Sequence, residues 1–195
     1  TGAGDSFGGG MMGYLASVDR TDMKALKTAL AYGTCVASIT IEDFSLDSLK
    51  AADKKVPPPK ATLADVRYGT HERQVLDFWK AESSTPTPVL FNIHGGGWVS
   101  GDKGIVSSVD KYLAAGISVV SINYRYATQA IMAGVKPPVE WPLHDAARAL
   151  QFVRSKAAEW NIDKARIGAT GRSAGACSSL WLAFHPDMAD PKSSD

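Results

Sequence analysis

From residue 61 onwards, short apolar runs alternate with helical stripes. Runs rich in Val, Ile and aromatic residues, bounded by Gly, Pro or Asn, predict strands at 64–68, 74–80, 89–93, 117–124 and 165–170. Apolar residues spaced three and four apart predict helices at 104–115, 143–160 and 174–184. This alternation predicts an α/β fold with a largely parallel sheet and right-handed crossovers.

The helix predicted at 143–160 has the clearest stripe. Its apolar residues are Leu143, Ala146, Ala147, Leu150, Val153, Ala157 and Trp160. Asn161 is expected to end this helix. The preceding segment, 125–141, contains Pro137 and Pro138 and shows no period, so we expect an irregular excursion at the rim of a site.

A pentapeptide of the form G-x-S-x-G, running from Gly171 to Gly175, lies between the last predicted strand and the last predicted helix. A sharp strand-to-helix turn of this kind lifts a serine hydroxyl clear of the sheet and is known as a nucleophile elbow. Gly171 and Gly175, with Ala174 between Ser173 and Gly175, allow the tight turn that larger residues would obstruct. The alternative interpretation of Ser173 is an ordinary helix N-cap.

A second glycine-rich turn, His94-Gly95-Gly96-Gly97-Trp98, follows the predicted strand 89–93. Consecutive glycines leave backbone N–H groups that can point at an oxyanion. In a dry site, one such donor contributes about 3 kcal/mol of transition-state stabilisation.

The two motifs together resemble those of α/β-hydrolases, specifically carboxylesterases of the hormone-sensitive-lipase-like type, from about residue 61 onwards. The resemblance implies that Ser173 is the nucleophile and that Gly96, Gly97 and Ala174 supply the oxyanion hole. His94, Gly95 and Trp98, with Gly171 and Gly175, would support the two turns. A small-molecule carboxylic ester would be the substrate, and neither metal nor cofactor is implied.

The acid and the base of the triad are not evident. In α/β-hydrolases the chain order is Ser, then Asp or Glu, then His, and 22 residues follow Ser173. His185 lies about 18 Å of helix rise beyond the serine, and His94 is expected to hydrogen-bond nearby backbone. We therefore expect an incomplete α/β-hydrolase sheet and a weak or inactive enzyme, with an exposed sheet edge that invites self-association.

The N-terminal string T-G-A-G-D-S-F-x-G-G resembles the C-terminal signature of ribokinase-like (PfkB) sugar kinases, and the likeness continues to about residue 50. It implies an anion-binding turn at Gly2, Ala3 and Gly4 and a catalytic base at Asp5. The alternative interpretation of Asp5 is a helix N-cap in a small helical remnant, because about 50 residues cannot build a sugar site. A sugar kinase fragment using Asp5 and a non-catalytic fusion fragment are the alternative functions.

The two resemblances divide the chain into three segments: a kinase-like fragment at 1–50, a proline-rich linker at 51–60 and the N-terminal part of a hydrolase domain at 61–195. Because two incomplete segments meet here, we interpret the chain as a fusion or a misassembled gene product.

Charge and composition indicate which partners and bonds are not expected. The net charge of +1 gives no reason to expect nucleic acid, and no apolar run is long enough to span a membrane. Cys35 and Cys177 are far apart, which predicts reduced core thiols. No compartment is predicted, because the chain begins at Thr1.

Overall fold

The computed structural model describes residues 58–188. The predictions for Gly2, Ala3, Gly4 and Asp5, for the kinase-like fragment and for most of the linker concern residues outside this range. The described residues belong to one compact unit that begins at Pro58.

The described part contains one five-stranded sheet. Its strands are β1 (Leu63–Arg67), β2 (Val75–Trp79), β3 (Thr87–Ile93), β4 (Ser118–Ile122) and β5 (Ile162–Gly171). They lie in the order β1-β2-β4-β3-β5. Within residues 58–188, β5 pairs with β3 alone and is therefore an edge strand. The expectation of self-association concerns this edge.

The sheet is mixed, which corrects the prediction of a largely parallel one. Strand β2 is antiparallel to β1 and β4, whereas β3 is parallel to β4 and β5. The short turn between β1 and β2 forces a hairpin, because a parallel pair requires a crossover of a dozen residues or more. Helix-containing crossovers connect β3, β4 and β5, and these three strands are therefore parallel. Both glycine-rich turns lie in this half of the sheet.

The helices are α1 (Val109–Ala114), α2 (Ala127–Met132), α3 (Glu140–Ser155), α4 (Ala157–Trp160) and α5 (Ala174–Phe184). The prediction of helix from 104 was wrong. The carboxylate of Asp102 accepts the Gly104 N–H at 2.8 Å and its carbonyl accepts the Ile105 N–H at 2.9 Å, so a turn occupies this stretch. Helix α1 begins only at Val109.

Two other helix predictions need correction. The single helix predicted at 143–160 is two helices, because Lys156 adopts φ −86° and ψ 4° and ends α3 before α4 begins. Asn161 then ends α4 in a left-handed conformation, as predicted. The segment 125–141 is not wholly irregular, since it contains α2.

Helix α3 covers one face of the sheet and α1 the other. Phe78, Phe91, Ile122 and the stripe of α3 form the larger core, and the Phe78 and Trp160 rings stack 4.5 Å apart. On the opposite face, Trp79, Val109 and Val119 form a smaller cluster. Among the described helices, none combines the length and the apolar character required to cross a bilayer.

Candidate active site

The G-x-S-x-G pentapeptide forms a sharp turn between β5 and α5. Strand β5 ends at Gly171, and α5 begins at Ala174. Between them, Ser173 has φ 55° and ψ −122°, a conformation that costs a non-glycine residue on the order of 1–3 kcal/mol. Ser173 is exposed and its side chain makes no capping hydrogen bond, unlike an ordinary N-cap serine.

The glycines of the elbow are required by close packing. A Cβ on Gly171 would lie 2.5 Å from the carbonyl oxygen of Ile93, closer than any non-bonded carbon normally approaches. A Cβ on Gly175 would overlap the same carbonyl oxygen. The elbow therefore packs directly against the end of β3.

The glycine-rich turn after β3 adjoins the elbow. Ile93 and Gly171 are register partners at the ends of the parallel strands β3 and β5, so the segments that follow both strands emerge at one edge. A Cβ on Gly95 would lie 2.6 Å from the Arg172 carbonyl oxygen and 3.5 Å from the Ser173 Cβ. The structure thus brings the two motifs together.

The glycine-rich turn also needs a left-handed backbone. Gly96 and Gly97 have φ values of 108° and 62°, which favour glycine. The Gly96 carbonyl oxygen accepts the N–H groups of Val99 and Ser100 at 3.0 and 3.1 Å. In the described part of the chain, the N–H groups of Gly96, Gly97 and Ala174 donate no hydrogen bond. Within residues 58–188, these three N–H groups are therefore without an acceptor.

His94 is a buried residue of the turn. Its Nδ1 donates to the Gly95 carbonyl oxygen at 2.7 Å, and its ring stacks on Tyr124 with centroids 4.2 Å apart. Within residues 58–188, Nε2 has no hydrogen-bond partner, so it does not accept the Ser173 hydroxyl. Burial lowers the pKa of His94, and the Gly95 hydrogen bond offsets only part of that effect.

This lowered pKa predicts acid sensitivity. Below about pH 6.5 the unfolded chain takes up a proton at His94 that the folded protein resists, so folding stability should fall as the pH decreases from 7 to 5.5. In His94→Asn the fall should be smaller. His144→Asn, which alters an exposed histidine, should keep the wild-type slope of folding stability against pH. Thermal unfolding across this range measures the slopes, and equal slopes in all three proteins would contradict the assignment.

The three other histidines of the chain make no hydrogen bond to Ser173. His71 lies in the turn between β1 and β2, and β2 is three positions along the sheet from β5. His144 is exposed on α3. His185 follows α5, stacks on Trp181 at 3.9 Å and lies 3.2 Å from Asp187. No histidine of the described residues hydrogen-bonds to Ser173.

Two side chains that the sequence analysis did not select, Tyr124 and Arg73, hold the glycine-rich turn after β3 through hydrogen bonds. The hydroxyl of Tyr124 donates to the His94 carbonyl oxygen at 2.9 Å. Arg73 donates to the carbonyl oxygens of Tyr124 and Gly101 at 2.9 and 3.2 Å. These hydrogen bonds fix the turn to β4 and to the hairpin.

Asp145 anchors the segment that follows Tyr124. It is 1% exposed, and its carboxylate accepts hydrogen bonds from Arg125 at 2.6 Å and from Gln74 at 2.7 Å. A carboxylate next to the apolar stripe of α3 was the sequence signal for this partly buried ion pair. On α5, Cys177 is a free, half-buried thiol, and Cys35 lies outside the described residues.

The family model BD-FAE matches residues 76–190. The chain is 36% identical over 136 residues to "Probable carboxylic ester hydrolase LipM" of Mycobacterium tuberculosis, covering 66% of this chain and 29% of that protein. It is 31% identical over 128 residues to "Gut esterase 1" of Caenorhabditis elegans, covering 63% and 23%. The chain thus spans less than a third of either relative.

Among solved structures, a similar one is the esterase Est2 of the planctomycete Thermogutta terrifontis. Its TM-score is 0.53 at 26% identity, over 69% of this chain and 49% of that one. The mixed sheet with flanking helices fits the α/β-hydrolase fold.

Proposed function

Because this chain belongs to the BD-FAE family, we propose that residues 58–188 carry the nucleophile and the oxyanion hole of a carboxylic ester hydrolase. The observation that carries the proposal is the backbone of Ser173, at φ 55° and ψ −122°, beside the turn that contains Gly96 and Gly97. The names of the relatives agree with an ester substrate.

The reaction begins with attack by the Ser173 hydroxyl oxygen on the ester carbonyl carbon. The carbonyl oxygen becomes an oxyanion, and the N–H groups of Gly96, Gly97 and Ala174 stabilise it. Collapse of this tetrahedral intermediate breaks the bond to the alkoxy oxygen and leaves an acyl-serine. The alcohol departs with a proton, and water then attacks the acyl group to release the carboxylic acid.

Removal of the proton from the Ser173 hydroxyl limits the rate of the proposed reaction in this chain. His94 is enclosed by the glycine-rich turn and Tyr124, and none of the other three histidines hydrogen-bonds to Ser173. Without a histidine in contact with the hydroxyl, solvent has to remove its proton. The proposed activity of the 195-residue chain is therefore weak.

An acylation assay tests the proposal. We expect p-nitrophenyl acetate to release one equivalent of p-nitrophenolate per protein in a slow burst as Ser173 is acetylated, and added imidazole should accelerate the burst as an external base. Ser173→Ala should abolish it. Ser83→Ala, which alters an exposed serine in a loop, should leave it intact. A burst that survives Ser173→Ala would refute the proposal.

A further inference from the structure

A buried serine joins the two glycine-rich turns through hydrogen bonds. The indole Nε1 of Trp98 donates to the Ser178 hydroxyl at 3.0 Å. That hydroxyl donates in turn to the Ala174 carbonyl oxygen, also at 3.0 Å. Ser178 is 1% exposed, so water does not compete for either bond.

Each end of this hydrogen-bonded link lies at or beside a backbone N–H group that donates no hydrogen bond within residues 58–188. Trp98 directly follows Gly97 and has φ 60°, a left-handed conformation that a bulky residue adopts only when its surroundings impose it. Its carbonyl oxygen accepts the Ala127 N–H at 2.8 Å. At the other end, Ala174 carries the third candidate oxyanion donor. The link therefore sets the spacing between donors that lie on different segments of the chain.

We propose that Ser178 is a positioning residue for the oxyanion hole and acts through Trp98. The inference rests on the proposed function, since it concerns how donors meet the oxyanion. Ser178 restrains the Trp98 indole, the indole restrains the turn, and the turn aims the Gly96 and Gly97 N–H groups at the acyl oxygen. A displacement of about 1 Å in such a site costs on the order of 100-fold in rate.

The chain offers a matched control in the next residue. The Ser179 hydroxyl donates to the Gly175 carbonyl oxygen at 2.9 Å, the same bond one position further along α5. No hydrogen bond joins Ser179 to Trp98 within residues 58–188. Both alanine variants therefore lose a helix-internal hydroxyl bond, and only Ser178→Ala loses the link to the turn.

Single-turnover acetylation by p-nitrophenyl acetate provides the kinetic test. Ser178→Ala should lower the maximal acetylation rate by about 10- to 100-fold with little change in the half-saturating ester concentration. Ser179→Ala should stay within about twofold of wild type. In a Trp98→Phe background, which lacks the indole donor, Ser178→Ala should have little further effect. Equal losses in the two serine variants, or additive losses with Trp98→Phe, would overturn the proposal.

A second readout needs no catalysis and separates this proposal from the function on which it rests. By NMR, Ser178→Ala should speed hydrogen exchange at the Trp98 indole N–H and at the Val99 and Ser100 amides, which donate to the Gly96 carbonyl oxygen, and Ser179→Ala should not. If these exchange rates change while Ser173 is never acetylated, the restraint stands and the esterase function fails. Unchanged exchange in Ser178→Ala would overturn the restraint itself.

Discussion

At neutral pH the 195-residue chain is expected to hydrolyse p-nitrophenyl acetate roughly 10⁴-fold or more slowly than a serine esterase with a complete triad. The proposed oxyanion donors alone should retain part of the catalysis, because such donors stabilise charge without moving a proton. Within residues 58–188, no side chain hydrogen-bonds to the Ser173 hydroxyl, so we expect the contribution of a base to be lacking. His94 cannot provide it, since its Nδ1 is bound to Gly95 and its Nε2 is buried without a partner in the described part of the chain.

Steady-state hydrolysis by wild type and Ser173→Ala, measured with and without imidazole, checks this expectation. The serine-dependent part should be small and should rise with imidazole, after subtraction of the reaction that imidazole performs alone. Serine-dependent turnover in the ordinary enzyme range, about 1–10³ per second, would show that a residue of this chain serves as the base. It would contradict the expectation that solvent removes the proton from Ser173.

Gly175→Ala is expected to destabilise the fold by about 3 kcal/mol or more, through overpacking at the elbow. The added Cβ would overlap the Ile93 carbonyl oxygen. Neither side can move freely, because Ile93 is paired with both β4 and β5 and Gly175 lies in the first turn of α5.

Gly168→Ala is the control for this substitution, because Gly168 lies on the neighbouring strand β5 and no atom stands within 4 Å of the added Cβ. It should be neutral or slightly stabilising. Urea unfolding of both variants gives the two free energies of unfolding. Similar values for Gly168→Ala and Gly175→Ala would show that the elbow tolerates a side chain and is looser than described.

The core of the fold and the two turns could be predicted from the sequence because their determinants are local. Apolar runs located all five strands to within a few residues. The stripe of α3 faces the core as its spacing predicted. Each turn follows a strand that the sequence predicted, whereas the strand order that puts the two turns at one edge was not predicted.

Other features depend on contacts between residues distant in the chain. The carboxylate of Asp102 holds the turn that delays α1, and Asp145 meets Arg125 and Gln74 across the fold. Ser178 and Trp98 are 80 residues apart. No local pattern reveals such pairs, so sequence reasoning located the two glycine-rich turns and missed the side chains that hydrogen-bond to them.

The position of the acetyl group after reaction with p-nitrophenyl acetate tests the central claim most directly. Peptide mass spectrometry should locate a single acetyl group on Ser173, in a yield that rises with imidazole and vanishes in Ser173→Ala. Acetyl groups spread over lysines, with the same pattern in wild type and Ser173→Ala, would show that the elbow presents no nucleophile.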